Sequence, residues 1–147
     1  KPMKHIITTS LTLIFLMLAG AASAGDCMRL CDYNFWESRP SLDKVKAEIA
    51  KGADLSKGNS WGETALHFSV GYGDPEHTSF LIQQGANIEA KTRRDSGLGK
   101  RTPLHFAVYH NDLETASVLL QAGANVNAPA EYVKAPPPLA VPATIEI

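Results

Sequence analysis

Histidine and cysteine are the side chains of this sequence that could carry protons, attack a substrate or bind a metal. His67 and His105 recur at equivalent places in two copies of one motif. A catalytic site needs residues with different roles in one place, whereas these two are the same structural part used twice. His77 and His110 have no His, Cys or carboxylate companion at a metal-like spacing. The histidines therefore predict neither a catalytic centre nor a metal site.

Cys27 and Cys31 are the only cysteines in the sequence. Their spacing lacks the Cys-x-x-Cys pattern of a redox motif and the following His of a haem attachment site. Two interpretations stay open. The pair could be buried as small apolar residues, or it could form a short structural disulfide, which an exported and oxidising setting permits.

Other signatures of chemistry are absent from the sequence. It contains no nucleophile elbow, phosphate-binding glycine loop, zinc-binding helix motif or EF-hand pattern. The carboxylates are spread over positions expected to face solvent, so no pair is a candidate for acid–base catalysis. We therefore predict that the protein is not an enzyme and uses no cofactor.

One stretch of the chain occurs twice and must supply the fold. Residues 64–88 and 102–126 share a Thr-x-Leu-His-Phe start, and in both copies the Leu precedes a Gly-Ala-Asn signal by 19 residues. A weaker third copy ends in Gly52-Ala53-Asp54. The glycines of these signals, at positions 52, 85 and 123, are 33 and then 38 residues apart. A period of this size indicates stacked repeats.

Each copy reads as two short helices followed by an extended connection. Thr102 is a suitable N-cap and Pro103 a suitable first helical residue, and Asp74 with Pro75 marks the start of a second helix. The apolar run of the second helix stops at Gly85 or Gly123, because glycine easily adopts a left-handed C-terminal conformation. Such helices are too short to bury their apolar faces alone, so neighbouring units must stack.

These motifs resemble the ankyrin repeat, whose Thr-Pro-Leu-His and Gly-Ala-Asp/Asn signatures fall at the same offsets. The resemblance implies an all-α solenoid of about three helix-turn-helix units with β-hairpin fingers, which we place at residues 25–57, 58–97 and 98–130. It also implies a concave surface of fingers and first helices that binds proteins without catalysis. The repeated His is implied to hydrogen-bond locally with the Thr of its signature.

The first unit departs from this pattern, since it has no Thr-Pro-Leu-His signature. We predict one helix that contains Phe35 and Trp36, an interruption at Pro40 and a second helix over residues 42–49 with Ser41 as its N-cap. Trp36 is expected in the core rather than at a ligand. A divergent first unit suits a solenoid, because its outer face meets water.

The two ends of the sequence lie outside the repeats. Lys4 and His5 precede an apolar run and a closing Ala22-Ser23-Ala24, a pattern that predicts a secretory signal peptide over residues 1–24. The competing interpretation is a membrane anchor, for which the apolar run is short. We therefore expect an exported protein, periplasmic or secreted, with no membrane attachment after cleavage. Residues 131–147 are a Pro-rich tail or a truncated fourth repeat.

Charge separates the classes of partner. A formal net charge of −1 gives no overall field for nucleic acid. The connection over residues 91–101 is longer than its counterpart and carries five basic residues against Asp95, so it favours a protein partner with acidic groups; the alternative is a solvated loop. The predicted contact residues are Asn59, Trp61, Glu63, Phe68, Tyr72, Arg93, Arg94, Lys100 and Arg101.

The predicted function is accordingly a non-enzymatic interaction module in the bacterial periplasm. Two alternatives bind a protein through the same surface. One is a secreted effector that engages a host protein, and the other is a protective factor docked on a periplasmic enzyme.

Overall fold

A computed structural model describes residues 26–72, 74–93 and 99–130. Both the predicted signal peptide and residues 131–147 lie outside the described residues. A 3-10 helix spans Met28–Cys31, and the α-helices that follow are α1 Tyr33–Glu37, α2 Leu42–Ala50, α3 Ala65–Tyr72, α4 Pro75–Gln83, α5 Pro103–Tyr109 and α6 Leu113–Gln121. The part of the chain that the structure describes has no regular strand, and one isolated antiparallel bridge joins Gly58 to Thr64.

The helices form three pairs that stack in two rows. Helices α3 and α4 pack on each other within one unit, as α5 and α6 do in the next. Helix α3 also contacts α1 and α5 in a first row, while α4 contacts α2 and α6 in a second row. This arrangement confirms the predicted all-α stack of three two-helix units.

The ends of the helices follow the predicted signals. Helix α5 begins after its N-cap Thr102 with Pro103 in its first turn, and the Asp74 side chain accepts the His77 N–H at the start of α4. Gly85 and Gly123 have φ values of +89° and +96°, which a side chain would disfavour. The repeated Gly therefore ends the second helix of each unit as predicted.

A continuous apolar core runs through all three units. Val45, Leu66, Leu81 and Leu119 are fully buried and come from successive units. Trp36 is fully buried as well, and its Nε1–H donates to the Leu30 carbonyl oxygen at 2.8 Å. The buried indole with a satisfied N–H confirms the predicted place of Trp36 in the core.

The first unit differs from the prediction in its first helix. Instead of one helix, the 3-10 helix and α1 are separated by Asp32, which has extended backbone angles. The Asp32 carboxylate accepts the Asn34 N–H at 3.0 Å and caps α1. A residue that caps α1 cannot also continue the 3-10 helix, so the helix divides at Asp32.

In the structure, Cys27 and Cys31 form a disulfide across the 3-10 helix, with their Cα atoms 5.6 Å apart.

Candidate functional site

The first finger, residues 58–64, is a tight turn between α2 and α3 that Asn59 organises. The Asn59 side-chain oxygen accepts the backbone N–H groups of Trp61 and Glu63, each at 3.0 Å. Its Nδ2 group donates to the Glu63 carboxylate at 2.9 Å. The side chains of Asn59 and Glu63 thus hold the finger together, and Trp61 at its tip is 52% exposed.

The second finger, residues 91–101, is closed at its base by Thr92. The Thr92 N–H donates to the Arg101 carbonyl oxygen at 3.0 Å, and the Thr92 hydroxyl accepts the Arg101 N–H at 2.9 Å while it donates to the Gly99 carbonyl. These bonds tie the two arms of the finger together. Its tip, residues 94–98, lies outside the described residues, and with it the predicted contact residue Arg94.

The two fingers are joined directly to each other. The Arg93 N–H donates to the Trp61 carbonyl oxygen at 2.8 Å. Gly62 makes this approach possible, because it has a φ of +78° and a side chain there would lie 2.9 Å from the Arg93 nitrogen. The backbone link places Trp61 and Arg93 side by side on neighbouring fingers.

His67 fastens the second finger to the first row of helices. Its Nδ1 accepts the Thr64 N–H at 3.1 Å, so the proton lies on Nε2, which donates to the Arg101 carbonyl oxygen at 3.1 Å. The ring is almost fully buried, and this burial lowers the pKa of His67 to about 4 against the opposing hydrogen bond to Arg101. The neutral imidazole is therefore a structural bridge between α3 and the finger.

His105 makes the same local bonds without such a bridge. Its Nδ1 lies 3.1 Å from the Thr102 nitrogen and 2.8 Å from the Thr102 hydroxyl oxygen. The ring is half-buried and lines a groove on the outer side of the third unit. His67 and His105 thus act as separate caps and do not converge on one site.

Two aromatic side chains pack together on the first row of helices, Tyr33 on α1 and Tyr72 on α3. The Tyr72 and Tyr33 rings pack edge to face with centroids 4.9 Å apart. Burial, the hydrogen bond to Tyr33 and the charges of Glu37 and Glu63 together raise the pKa of Tyr72 to about 12. The Tyr72 hydroxyl is consequently a neutral hydrogen-bonding group. Tyr33 is half exposed and was not identified from the sequence, because nothing in the repeat pattern marks it.

The Arg101 side chain packs against an aromatic neighbour. Its guanidinium lies over the Tyr109 ring, 5.4 Å from the centroid, a distance that allows a cation–π contact. Tyr109 is strongly exposed at the end of α5. Sequence reasoning missed Tyr109, although an exposed aromatic next to an Arg is a common feature of protein-binding surfaces.

The structure separates the predicted contact residues into two groups. Trp61 and Arg93 are exposed, and Tyr72, Lys100 and Arg101 are half-buried. Phe68 is only 4% exposed and belongs to the core, so we leave it out of the contact surface. We define the finger face as Trp61, Tyr72, Arg93, Lys100 and Arg101.

His77 is held in a structural contact between units. Its Nδ1 lies 2.6 Å from the Asp74 carboxylate and its Nε2 lies 3.0 Å from the Pro40 carbonyl oxygen. Burial raises the pKa of Asp74, but the backbone and side-chain hydrogen bonds from His77 outweigh it, so that the pKa is lowered.

In residues 26–72, 74–93 and 99–130, no three His, Cys, Asp or Glu side chains are grouped so that they could hold a metal ion.

Two further observations bear on the class of protein. Over the same ranges, no helix combines the length and the apolar character that crossing a bilayer requires. A family model described as ankyrin repeats, three copies, matches residues 16–130. A comparison with curated proteins finds no significant match.

Proposed function

Because the chain belongs to the ankyrin repeat family, whose members are generally interaction modules without catalytic activity, we propose that it binds a protein partner through its finger face. The observation that carries the proposal is the continuity of that face. The Trp61 carbonyl joins the first finger to the second, and His67 joins the second finger to α3. Trp61 and Arg93 are 32 positions apart, and His67 and Arg101 are 34 positions apart. These bonds thereby hold distant parts of the chain on one rigid surface.

The chemistry of the finger face favours a partner with acidic and apolar groups next to each other. Trp61 offers a large, half-exposed ring at low cost in conformational entropy. Arg93, Lys100 and Arg101 belong to the second finger, which is bonded to the Trp61 carbonyl, and their side chains can form charge-assisted hydrogen bonds with carboxylates. An acidic segment that carries one large apolar side chain matches this surface.

We further propose that the protein acts in the bacterial periplasm. The predicted signal peptide over residues 1–24 supports export, and the disulfide between Cys27 and Cys31 is of the kind that persists in oxidising compartments. Fractionation of cells that produce the full chain tests this proposal. Recovery in the periplasmic fraction is expected. Recovery in the cytoplasm would contradict it, and recovery in the culture medium would favour the secreted effector.

Affinity capture with the immobilised full chain tests the binding surface. Replacement of Arg93, Arg94, Lys100 and Arg101 by Ala removes four of the five basic charges of the second finger, and W61A removes its aromatic neighbour. We expect each variant to retain less than a tenth of the partner that the unchanged chain captures. Capture at an unchanged level by both variants would refute the finger face as the binding surface.

A matched control separates this surface from general charge effects. The pair R93A/R101A and the pair K44A/K46A each remove two positive charges, but Lys44 and Lys46 lie on α2 in the second row of helices. Loss of capture with the first pair alone supports the proposal. Equal loss with both pairs would show nonspecific attraction of acidic proteins.

A further inference from the structure

Arg101 belongs both to the finger face and to an apolar groove on the outer side of the third unit, which we call the outer groove. The outer groove has a volume of about 440 Å³ and lies between α5 and α6. Its lining includes Leu104, Val108, Leu120 and Val126 together with Arg101. The finger face and the outer groove therefore meet at one side chain and form adjacent parts of one surface.

The bonds of Arg101 show how one residue serves both places. Its backbone is fixed at the base of the second finger, where its N–H donates to the Thr92 hydroxyl and its carbonyl accepts the His67 Nε2–H. Its side chain points from the start of α5 towards Tyr109, the last residue of that helix, with the guanidinium 5.4 Å from the ring centroid. The positive charge is thereby placed on the groove side of α5, since Arg101 and Tyr109 both line the groove.

The apolar side chains of the outer groove are exposed. Val108 is 69% exposed, Val126 is 72% exposed and Leu120 is 46% exposed. Val70, which lies 38 residues before Val108, is only 3% exposed on α3, which packs against α5. Exposed apolar side chains that share one groove indicate a surface at which another segment binds.

The charge pattern of the outer groove defines the chemistry of the segment that fits it. Among the described residues that line the groove, Arg101 is the one permanently charged side chain. A guanidinium presents its N–H donors in a planar fork that matches a carboxylate. An apolar groove that meets a cation of the second finger is therefore complementary to a segment in which an acidic residue adjoins apolar residues.

We infer that one partner segment covers both parts of this surface, with a carboxylate on Arg101 and the neighbouring apolar side chains in the outer groove. The inference rests on the proposed function, because it extends the contact of the same partner from the finger face onto the third unit. Helix α5 has seven residues and is thus about 10 Å long. About three extended residues of the partner span that length.

The arrangement of the fingers adds a second apolar contact to this description of the partner. The basic second finger meets Trp61 of the first finger through Arg93, and it meets the outer groove through Arg101. The surface thus specifies a segment with apolar residues on both sides of an acidic group. In the groove the contact is made through side chains, because helix amides beyond the first turn are bonded within their own helix.

Opposite charges at one exposed position of the groove test the inference by capture with the immobilised full chain. The variants are V126D and V126K, and the exposure of Val126 makes both compatible with the fold. We expect V126D to capture at least five times less partner than V126K, because a carboxylate in the groove repels the acidic segment. Equal capture by the two variants would overturn the inference.

A matched control separates this effect from the total charge of the chain. K46D differs from the unchanged chain by the same amount of charge as V126D differs from V126K, but Lys46 lies exposed on α2 in the first unit. K46D should capture within twofold of the unchanged chain. A loss with K46D as large as the difference between V126D and V126K would assign that difference to total charge and overturn the inference.

Photo-cross-linking in the full chain shows what occupies the groove. One variant carries Ser60→benzoylphenylalanine, next to Trp61, and another carries Val126→benzoylphenylalanine. The adducts formed with the captured partner are sequenced by mass spectrometry. We expect both positions to label one protein on either side of an acidic residue, at sites within about ten residues of each other, which reach about 33 Å when extended.

The outcomes separate failure of this inference from failure of the proposed function. A partner adduct at position 60 would retain the finger face, while an adduct at position 126 with a second copy, or within the same chain, would overturn the inference alone. Labels at distant sites of the partner would also overturn it alone. Absence of a partner adduct at position 60 would contradict the finger face itself and the inference with it.

Discussion

The second and third units contain nearly the same motif, yet their equivalent residues lie in different surroundings. His67 is buried and bridges to the next finger, whereas His105 is half-buried at the edge of a groove. Val70 is buried on α3, which packs against α5, but Val108 is exposed on α5. The local bonds of Thr64 to His67 and of Thr102 to His105 are nevertheless alike. Local structure is therefore set by the motif, while burial is set by the neighbouring unit.

This difference shows which features the second and third units share and which differ. Both units supply the same cap, a Thr bonded to the His three residues later, and the same pair of helices. What varies between units is the finger and its neighbours. The second finger is anchored by His67 through Arg101, and the bond from the Arg93 N–H to the Trp61 carbonyl places Arg93 beside Trp61.

The largest expected difference lies in the core. L66A should lower the free energy of unfolding by about 3 kcal/mol, because Leu66 is fully buried between two units. Leu104 lines the outer groove, where the surroundings can close more easily, so L104A should cost about 2 kcal/mol. Urea denaturation of both variants measures the costs. A greater loss for L104A than for L66A would contradict the role that we give to the neighbouring unit.

A glycine comparison isolates the junction of the fingers. G62A should cost about 2 to 3 kcal/mol, since the new side chain is strained by the positive φ and also meets the Arg93 nitrogen. Gly123 has a positive φ with nothing within 4 Å of an added Cβ, so G123A should cost about 1 kcal/mol. Thermal unfolding of the two variants provides the comparison. Equal costs would mean that the fingers separate freely.

Acidification should destabilise the protein through His67. The unfolded chain binds a proton at an ordinary histidine pKa near 6.5, while the pKa of folded His67 is about 4. The free energy of unfolding is therefore highest above pH 6.5 and decreases as the pH falls towards 4. The decrease amounts to about 2 kcal/mol at pH 5.

Denaturation curves between pH 7 and pH 5 measure this effect. H67Q should be less stable at pH 7 and should lose this part of the pH dependence. H105Q keeps His67 and must keep the dependence that His67 provides. The lowered pKa values of Asp74 and Asp112 act at more acidic pH, below about 4, and do not interfere in this range. An unchanged slope in H67Q would show that burial of His67 is not responsible.

The smallest loss of stability is expected from removing the Thr caps, and it should be equal in the second and third units. T64A and T102A each remove a buried Thr that caps its helix and bonds to the His three residues later. Each variant should lose about 1 kcal/mol of unfolding free energy. Similar midpoints in parallel denaturation experiments would support the view that caps are local. A twofold difference would show that neighbouring units also act on the caps.

The sequence was sufficient to predict the features that depend on local chemistry. The start of α5 at Pro103, the Asp74 cap and the left-handed Gly85 and Gly123 follow from residue types at fixed positions. Two-helix units of this length must stack, so the order of the three units could also be predicted. These features need no information about which residues meet across units.

Features that depend on contacts between units were not predictable in the same way. The bond from His67 to Arg101 spans 34 residues, and its partner is fixed by how one unit is offset on the next. Phe68 is among the contact residues that the sequence predicts near the fingers, yet it is buried in the core. Asp32 divides the first helix because its side chain caps α1, a role that the apolar pattern around it conceals.

Hydrogen exchange of the full chain with and without the captured partner tests the binding surface most directly. We predict slower exchange at the amides of Trp61, Gly62, Arg93 and residues 99–101, with no change along α4 and α6. Slower exchange confined to α4 and α6, with the fingers unaffected, would contradict the assignment of the finger face as the surface through which this protein acts.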